Sequence, residues 1–117
     1  MTARTTLRLL FAGILLVMLF VTAKASLMQP IWAWQGLAAA DPDHWWTLAT
    51  LADAYCGFLT FYAWVFYKEP GLASRLGWLA GILLLGNIAM ASYVLLQLAR
   101  LRDSEPVHHL LLRPEHR

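Results

Sequence analysis

Asp53 is the residue whose surroundings ask for chemistry. It stands inside LADAYCGFLTFYAWVFYKEP, residues 51–70, a segment otherwise built from apolar and small side chains. An ionised carboxylate in such a setting costs several kcal/mol unless it finds a donor, so an acid held there has a reason to be there. On a helix, Cys56, Gly57, Thr60 and Trp64 share its face, a small and polar stripe. Leu51, Phe58, Phe61 and Val65 lie on the opposite side, suited to lipid. A later apolar stretch supplies Asn87, Ser92, Tyr93 and Gln97, and an earlier one ends in Lys24. Two kinds of role compete. The first is an interhelical hydrogen bond from Asn87, Tyr93 or Lys24 that fixes helix register. The second is a ligand or proton site centred on Asp53, with Asn87, Tyr93, Thr60 and Lys24 as the polar cluster around it. No second acid and no histidine falls within an apolar stretch, which makes a proton relay thin.

The remaining polar groups point to less. Asp41, Asp43 and His44 have ligand chemistry, but Asp41 followed by Pro42 is the signature of a helix start: Asp41 as N-cap, Pro42 in the first turn, Asp43 at the positive end of the dipole. No metal site is expected. His108, His109 and His116 sit in a polar tail without organised spacing. There is no Gly-rich phosphate loop, nucleophile elbow, zinc-type spacing or haem motif, so ordinary hydrolase or nucleotide chemistry is not expected and no cofactor is implied. Cys56 is the single cysteine and offers no internal disulfide.

The elements that must position these residues follow from composition. The 117 residues are 60% hydrophobic and 14% charged, with a mean hydropathy of +0.55. A soluble domain is nearer half apolar and a quarter charged, and a core of this size cannot hide so much apolar surface from water. A net charge of +2, spread along the chain, gives no nucleic-acid footprint. We therefore expect an all-α integral membrane bundle of three transmembrane helices, spanning about 7–27, 43–67 and 76–99. They form one domain over 1–102, followed by a polar tail at 103–117. Arg8 and Lys24 bracket the first run, and KEPG ends the second because Pro70 disfavours helix before it. Arg100 and Arg102 close the third.

Aromatic residues mark the edges. Trp32, Trp34, Trp45 and Trp46 gather round the first loop, Trp64, Tyr67 and Trp78 round the second, like two interfacial belts. Gly77 and Gly81 form a small-xxx-small pair suited to close helix approach. The tail is expected outside the bilayer and partly disordered. The first run with Ala23 and Ala25 also reads as a passable signal peptide, but Lys24 inside the site argues against cleavage. Three spans place the two ends on opposite sides. Charge then splits almost evenly, with a lean to a cytoplasmic N-terminus in a bacterial inner membrane.

ASLMQPIW, LADAYCGFLTFYAWVFYKE and LLGNIAMASYVLLQLARL together resemble domain-of-unknown-function family 1475, small multipass membrane proteins of bacteria and plants. The resemblance covers roughly 25–102 and implies a multipass membrane fold with an uncleaved first helix, without an established activity. A fainter likeness, through Asp41, Pro42, Asp53 and Gly86, is to the neoxanthin-synthase-like (abscisic-acid-deficient) membrane family. There Asn87 stands where that family has a proline after the glycine.

The expected function is that of a small membrane subunit: a structural or interaction role, or a module binding an apolar ligand between helices. Membrane lipid, an apolar ligand or a partner membrane protein would be its company. The alternative is a membrane enzyme acting on an isoprenoid or other lipid, with Asp53 as acid or base and Asn87 or Tyr93 orienting the substrate.

Overall fold

The computed structural model describes residues 2–30, 32 and 44–116. The expected cap at Asp41 and Pro42 lies outside them. The described chain is all-helical: α1 (Ala3–Met28), α2 (His44–Lys68), α3 (Leu72–Leu85) and α4 (Asn87–Arg100), then 3-10 turns at Val107–Leu111 and Pro114–His116. Thr2 caps α1 by accepting from the Thr5 amide at 3.2 Å. Pro70 and Gly71 end α2 and start α3, as the KEPG signal requires.

α1 and α2 are each long and apolar enough to cross a membrane. The third expected span is a different object. The run 76–99 is not one helix but the larger part of two 14-residue helices that reverse direction at Gly86. Trp78 and Tyr93, which would stand ~22 Å apart along a straight helix, have ring centroids 4.7 Å apart. A Cβ at Gly81 would lie 3.8 Å from that of Ala89, so one half of the small-residue pair does serve close approach, while Gly77 faces open space. Gly86 holds φ +55° and ψ −122°, a backbone conformation that side chains forbid. Its amide still donates to Ile82 O at 2.8 Å and its carbonyl accepts from Met90 N at 3.0 Å. The reversal therefore keeps its backbone bonds, which is what an apolar surrounding demands.

α3 runs antiparallel to α2, tied by Tyr62 Oη donating to Arg75 O (2.9 Å) and Tyr55 Oη donating to Leu83 O (3.2 Å). α4 then returns to the starting end and packs along α1, whose Leu7 and Phe11 join Val94, Leu98, Leu101 and Leu110. The start of α1, the end of α2, the start of α3 and the end of α4 thus share one end of the molecule. At 1.5 Å per residue the hairpin reaches ~21 Å, against ~39 Å for α1. The tip at Gly86 stops beside Phe58, and α1 and α2 continue beyond it. The start of α1 and the end of α4 therefore lie at the same end of the molecule, where three straight spans would separate them.

The packed face of α2 departs from the expectation except at Trp64, which packs inward as expected. Phe58 and Phe61 are half-buried and Val65 fully buried against Ile82, Ala89 and Tyr93. Asp53, Cys56, Gly57 and Thr60 are exposed. Aromatic and branched side chains fill the space between helices better than a small polar stripe does, and burial is won there by packing. α1 has no buried residue; Leu16, Phe20 and Val21 point outward.

Candidate functional site

The reversal decides where every singled-out residue falls. Tyr93 lies seven positions before Arg100, ~10 Å from the shared end, whereas Asp53 lies fifteen before Lys68, ~22 Å away. The carboxylate and the phenol expected to meet are on different levels. Asp53 is exposed, and among the described residues it makes no hydrogen bond or ion pair with Asn87, Tyr93 or Lys24. Lys24 is exposed towards the far end of α1. Thr60 donates to its own helix, to Cys56 O at 3.0 Å. Asn87, also exposed, borders an apolar groove of about 590 Å3 against Leu10, Gly13, Ile14 and Val17 of α1.

Tyr93 answers instead to Glu69, an acid that sequence reasoning treated only as part of a helix stop. Tyr93 is fully buried, ringed edge-on by Trp64, Trp78 and Phe61 at 5.4, 4.7 and 6.2 Å between centroids. Its hydroxyl donates to Glu69 Oε1 at 3.1 Å, and Ser74 Oγ donates to Oε2 at 2.9 Å. Both carboxylate oxygens of this buried acid are satisfied. Trp64 and Trp78, expected in an interfacial belt, are partly buried and pack against this phenol. Trp32 and Trp46 of the first cluster are exposed, and Trp34 lies outside the described residues.

Cations close the end of α2. Lys68, 5% exposed, donates to Leu110 O at 2.6 Å and lies over the Trp64 ring. Arg75 Nε donates to the carbonyls of Phe66 (3.1 Å) and Glu69 (2.8 Å), supplying donors to carbonyls the helix leaves open. Arg113 Nε donates to Tyr67 O and its guanidinium covers the Tyr67 ring. Arg4 does the same for α4, donating to Leu101 O and Arg102 O at 3.3 and 2.6 Å, and pairing with Asp103 at 3.1 Å. The tail expected to be partly disordered is folded over this end, with Leu110 buried in the core. The apolar LLL patch is the sequence signal for it.

Between these groups lies a cavity of about 660 Å3, walled by the end of α2, the end of α4 and the tail. Its acids are Glu69, Glu105 and Glu115, and its cations are Lys68, Arg100, Arg102 and Arg113. Glu105 accepts from the Arg102 amide at 3.2 Å and stands 3.4 Å from His109 Nδ1; Glu115 pairs with Arg113 at 3.5 Å. Gln97 borders the cavity, 5% exposed, and its Nε2 is buried without an acceptor among the described residues. A buried donor left unmade costs about 1–3 kcal/mol. No group of three His, Cys, Asp or Glu side chains that could hold a metal occurs among the described residues.

Fold and site together define a class: a small all-helical protein with two membrane-length helices, a shorter helical hairpin packed between them, and a charged cavity where the helix ends meet. Within that class, residues 7–117 match the family described as protein of unknown function (DUF1475), and the chain belongs to that family. The match extends beyond the 25–102 of the resemblance, taking in most of the first helix and the whole tail. No curated protein and no solved structure matches the chain, and the likeness to the neoxanthin-synthase-like family finds no support there.

Proposed function

We propose that this is an integral membrane protein with two transmembrane helices, α1 and α2, and a re-entrant hairpin, α3–α4, serving as a binding or interaction module. The observation that carries this reading is the reversal at Gly86. It gathers the helix ends at one charged face and leaves the flanks of α1 and α2, with Leu16 and Phe20 each 67% exposed, as apolar surface too extensive for water. A broken pair of helices entering from one side is a device of membrane proteins, and its irregular backbone is sheltered by Phe58.

The reversal also favours an orientation. Of the nine Lys and Arg residues, Arg4, Arg8, Lys68, Arg75, Arg100, Arg102 and Arg113 fall at the shared end. Lys24 alone of the described cations falls towards the other. By the positive-inside rule the shared end is cytoplasmic. That asymmetry is the pattern of helical membrane proteins in general. The grip of Arg4 on the end of α4 favours a retained first helix over a cleaved leader. An enzyme working through Asp53 draws no support from the geometry, since that acid lines neither cavity described above. An apolar ligand has a seat in the groove at Asn87.

Reporter fusions to the two ends test the reading. Both are expected to report the cytoplasm; reports from opposite compartments would refute the re-entrant arrangement.

A further inference from the structure

We propose that the charged cavity binds an anionic group of the phosphate class, as a lipid headgroup or as free phosphate. The carboxylates on its wall are engaged from within the chain: Glu69 by Tyr93 and Ser74, Glu105 by the Arg102 amide, Glu115 by Arg113. The guanidiniums of Arg100 and Arg102 are exposed and make no hydrogen bond or ion pair among the described residues. Gln97 adds a buried amide donor with no acceptor, one helical turn before Arg100 and on the same face. An oxyanion entering the cavity supplies the acceptor that Gln97 lacks and a hydrogen-bonding partner for two guanidiniums that make none among the described residues. Guanidinium groups match phosphate geometry, and a cavity of about 660 Å3 has room for a headgroup. The anion chemistry stands on the cavity alone; a lipid source rests on the membrane placement proposed above.

The test is the thermal unfolding midpoint of the full chain in nanodiscs of phosphatidylcholine, with and without phosphatidylglycerol, and in phosphatidylcholine with inorganic phosphate. A ligand bound only to the folded state raises the midpoint. A rise with phosphatidylglycerol identifies the headgroup, and a rise with inorganic phosphate in neutral lipid identifies the free anion. In either case the rise should shrink by more than half in Gln97→Met, which alters no charge, and in Arg100→Gln with Arg102→Gln, which changes exposed side chains. No rise with either probe overturns the proposal. So does a rise that Gln97→Met leaves intact, which would mark diffuse surface charge. The outcome is independent of topology: a failed rise with both ends on one side removes only the ligand, and a rise with the ends on opposite sides removes only the proposed topology.

Discussion

Gly86 and Phe58 touch at the tip of the hairpin, where a Cβ on Gly86 would come within 2.9 Å of Phe58 Cζ. Two constraints meet at that point: a positive φ that only glycine adopts freely, and a ring that fills the space a side chain would need.

Gly86→Ala is therefore expected to destabilise the fold by about 1–3 kcal/mol from the backbone alone, with a steric cost added by Phe58. Thermal unfolding in detergent measures it. Phe58→Ala in the same chain should relieve the steric part only, leaving the double variant less stable than Phe58→Ala by the backbone part. Full recovery would mean that the turn does not hold its φ.

The buried Tyr93–Glu69 pair gives a second expectation. Tyr93→Phe keeps the aromatic packing and removes the hydroxyl that donates to Glu69 Oε1. Hydrogen bonds to charged groups are worth about 1.5–3 kcal/mol, and a loss in that range is expected. Ser74→Ala should cost less, since Ser74 is only partly buried and water can replace its hydroxyl. A double-mutant cycle of Tyr93→Phe with Glu69→Gln should show coupling between the two positions; strict additivity would contradict the bond.

Asp53 predicts by contrast. It is exposed and makes none of the interhelical bonds expected of it, so Asp53→Asn and Asp53→Leu should each leave the stability of the isolated chain within about 0.5 kcal/mol. Chemical or thermal unfolding of the purified chain decides this. A loss of several kcal/mol in Asp53→Leu would show that the carboxylate holds the bundle together after all.

These expectations show what the sequence carried and what it hid. The end of the second helix was legible, because Pro70 and Gly71 mark it in any environment; the first helix starts at Ala3 instead of about 7 and holds Arg8 and Lys24 within it. The break in the third run was not. Leu72–Leu85 and Asn87–Arg100 are both apolar helix formers, and Gly86 between them carries no proline to announce a turn. Taken as straight, that run sends Arg100 to the opposite end of the molecule and brings Tyr93 to the level of Asp53 instead of Glu69. The face of α2 is equally hard to read from sequence. Lipid's rejection of polar groups points them inward, yet Phe58, Phe61 and Val65 win the inward face through contact area. Glu69, beside a proline in a stop signal, carried no mark of being buried.

Arg4 should hold the tail through the end of α4. Arg4→Ala removes donors from the Leu101, Arg102 and Glu105 carbonyls and the charge paired with Asp103. Amides of the 3-10 turn Val107–Leu111 are expected to exchange hydrogen at least several-fold faster, while those of α2 and α3 stay protected. Unchanged exchange in the turn would show that Leu110 burial alone secures it.

The re-entrant hairpin is most directly tested by the sidedness of single cysteines at Thr2, Trp32 and Asp103 in a Cys56→Ala background, labelled in intact cells with a membrane-impermeant maleimide. All three positions are exposed in the structure, and Cys56 is the only native thiol. Thr2 and Asp103 should be protected from the outside and react only after the membrane is opened, while Trp32 reacts at once. Labelling of Thr2 and Asp103 from opposite sides would mean that α3 and α4 cross the bilayer as one span, and would contradict the arrangement described here.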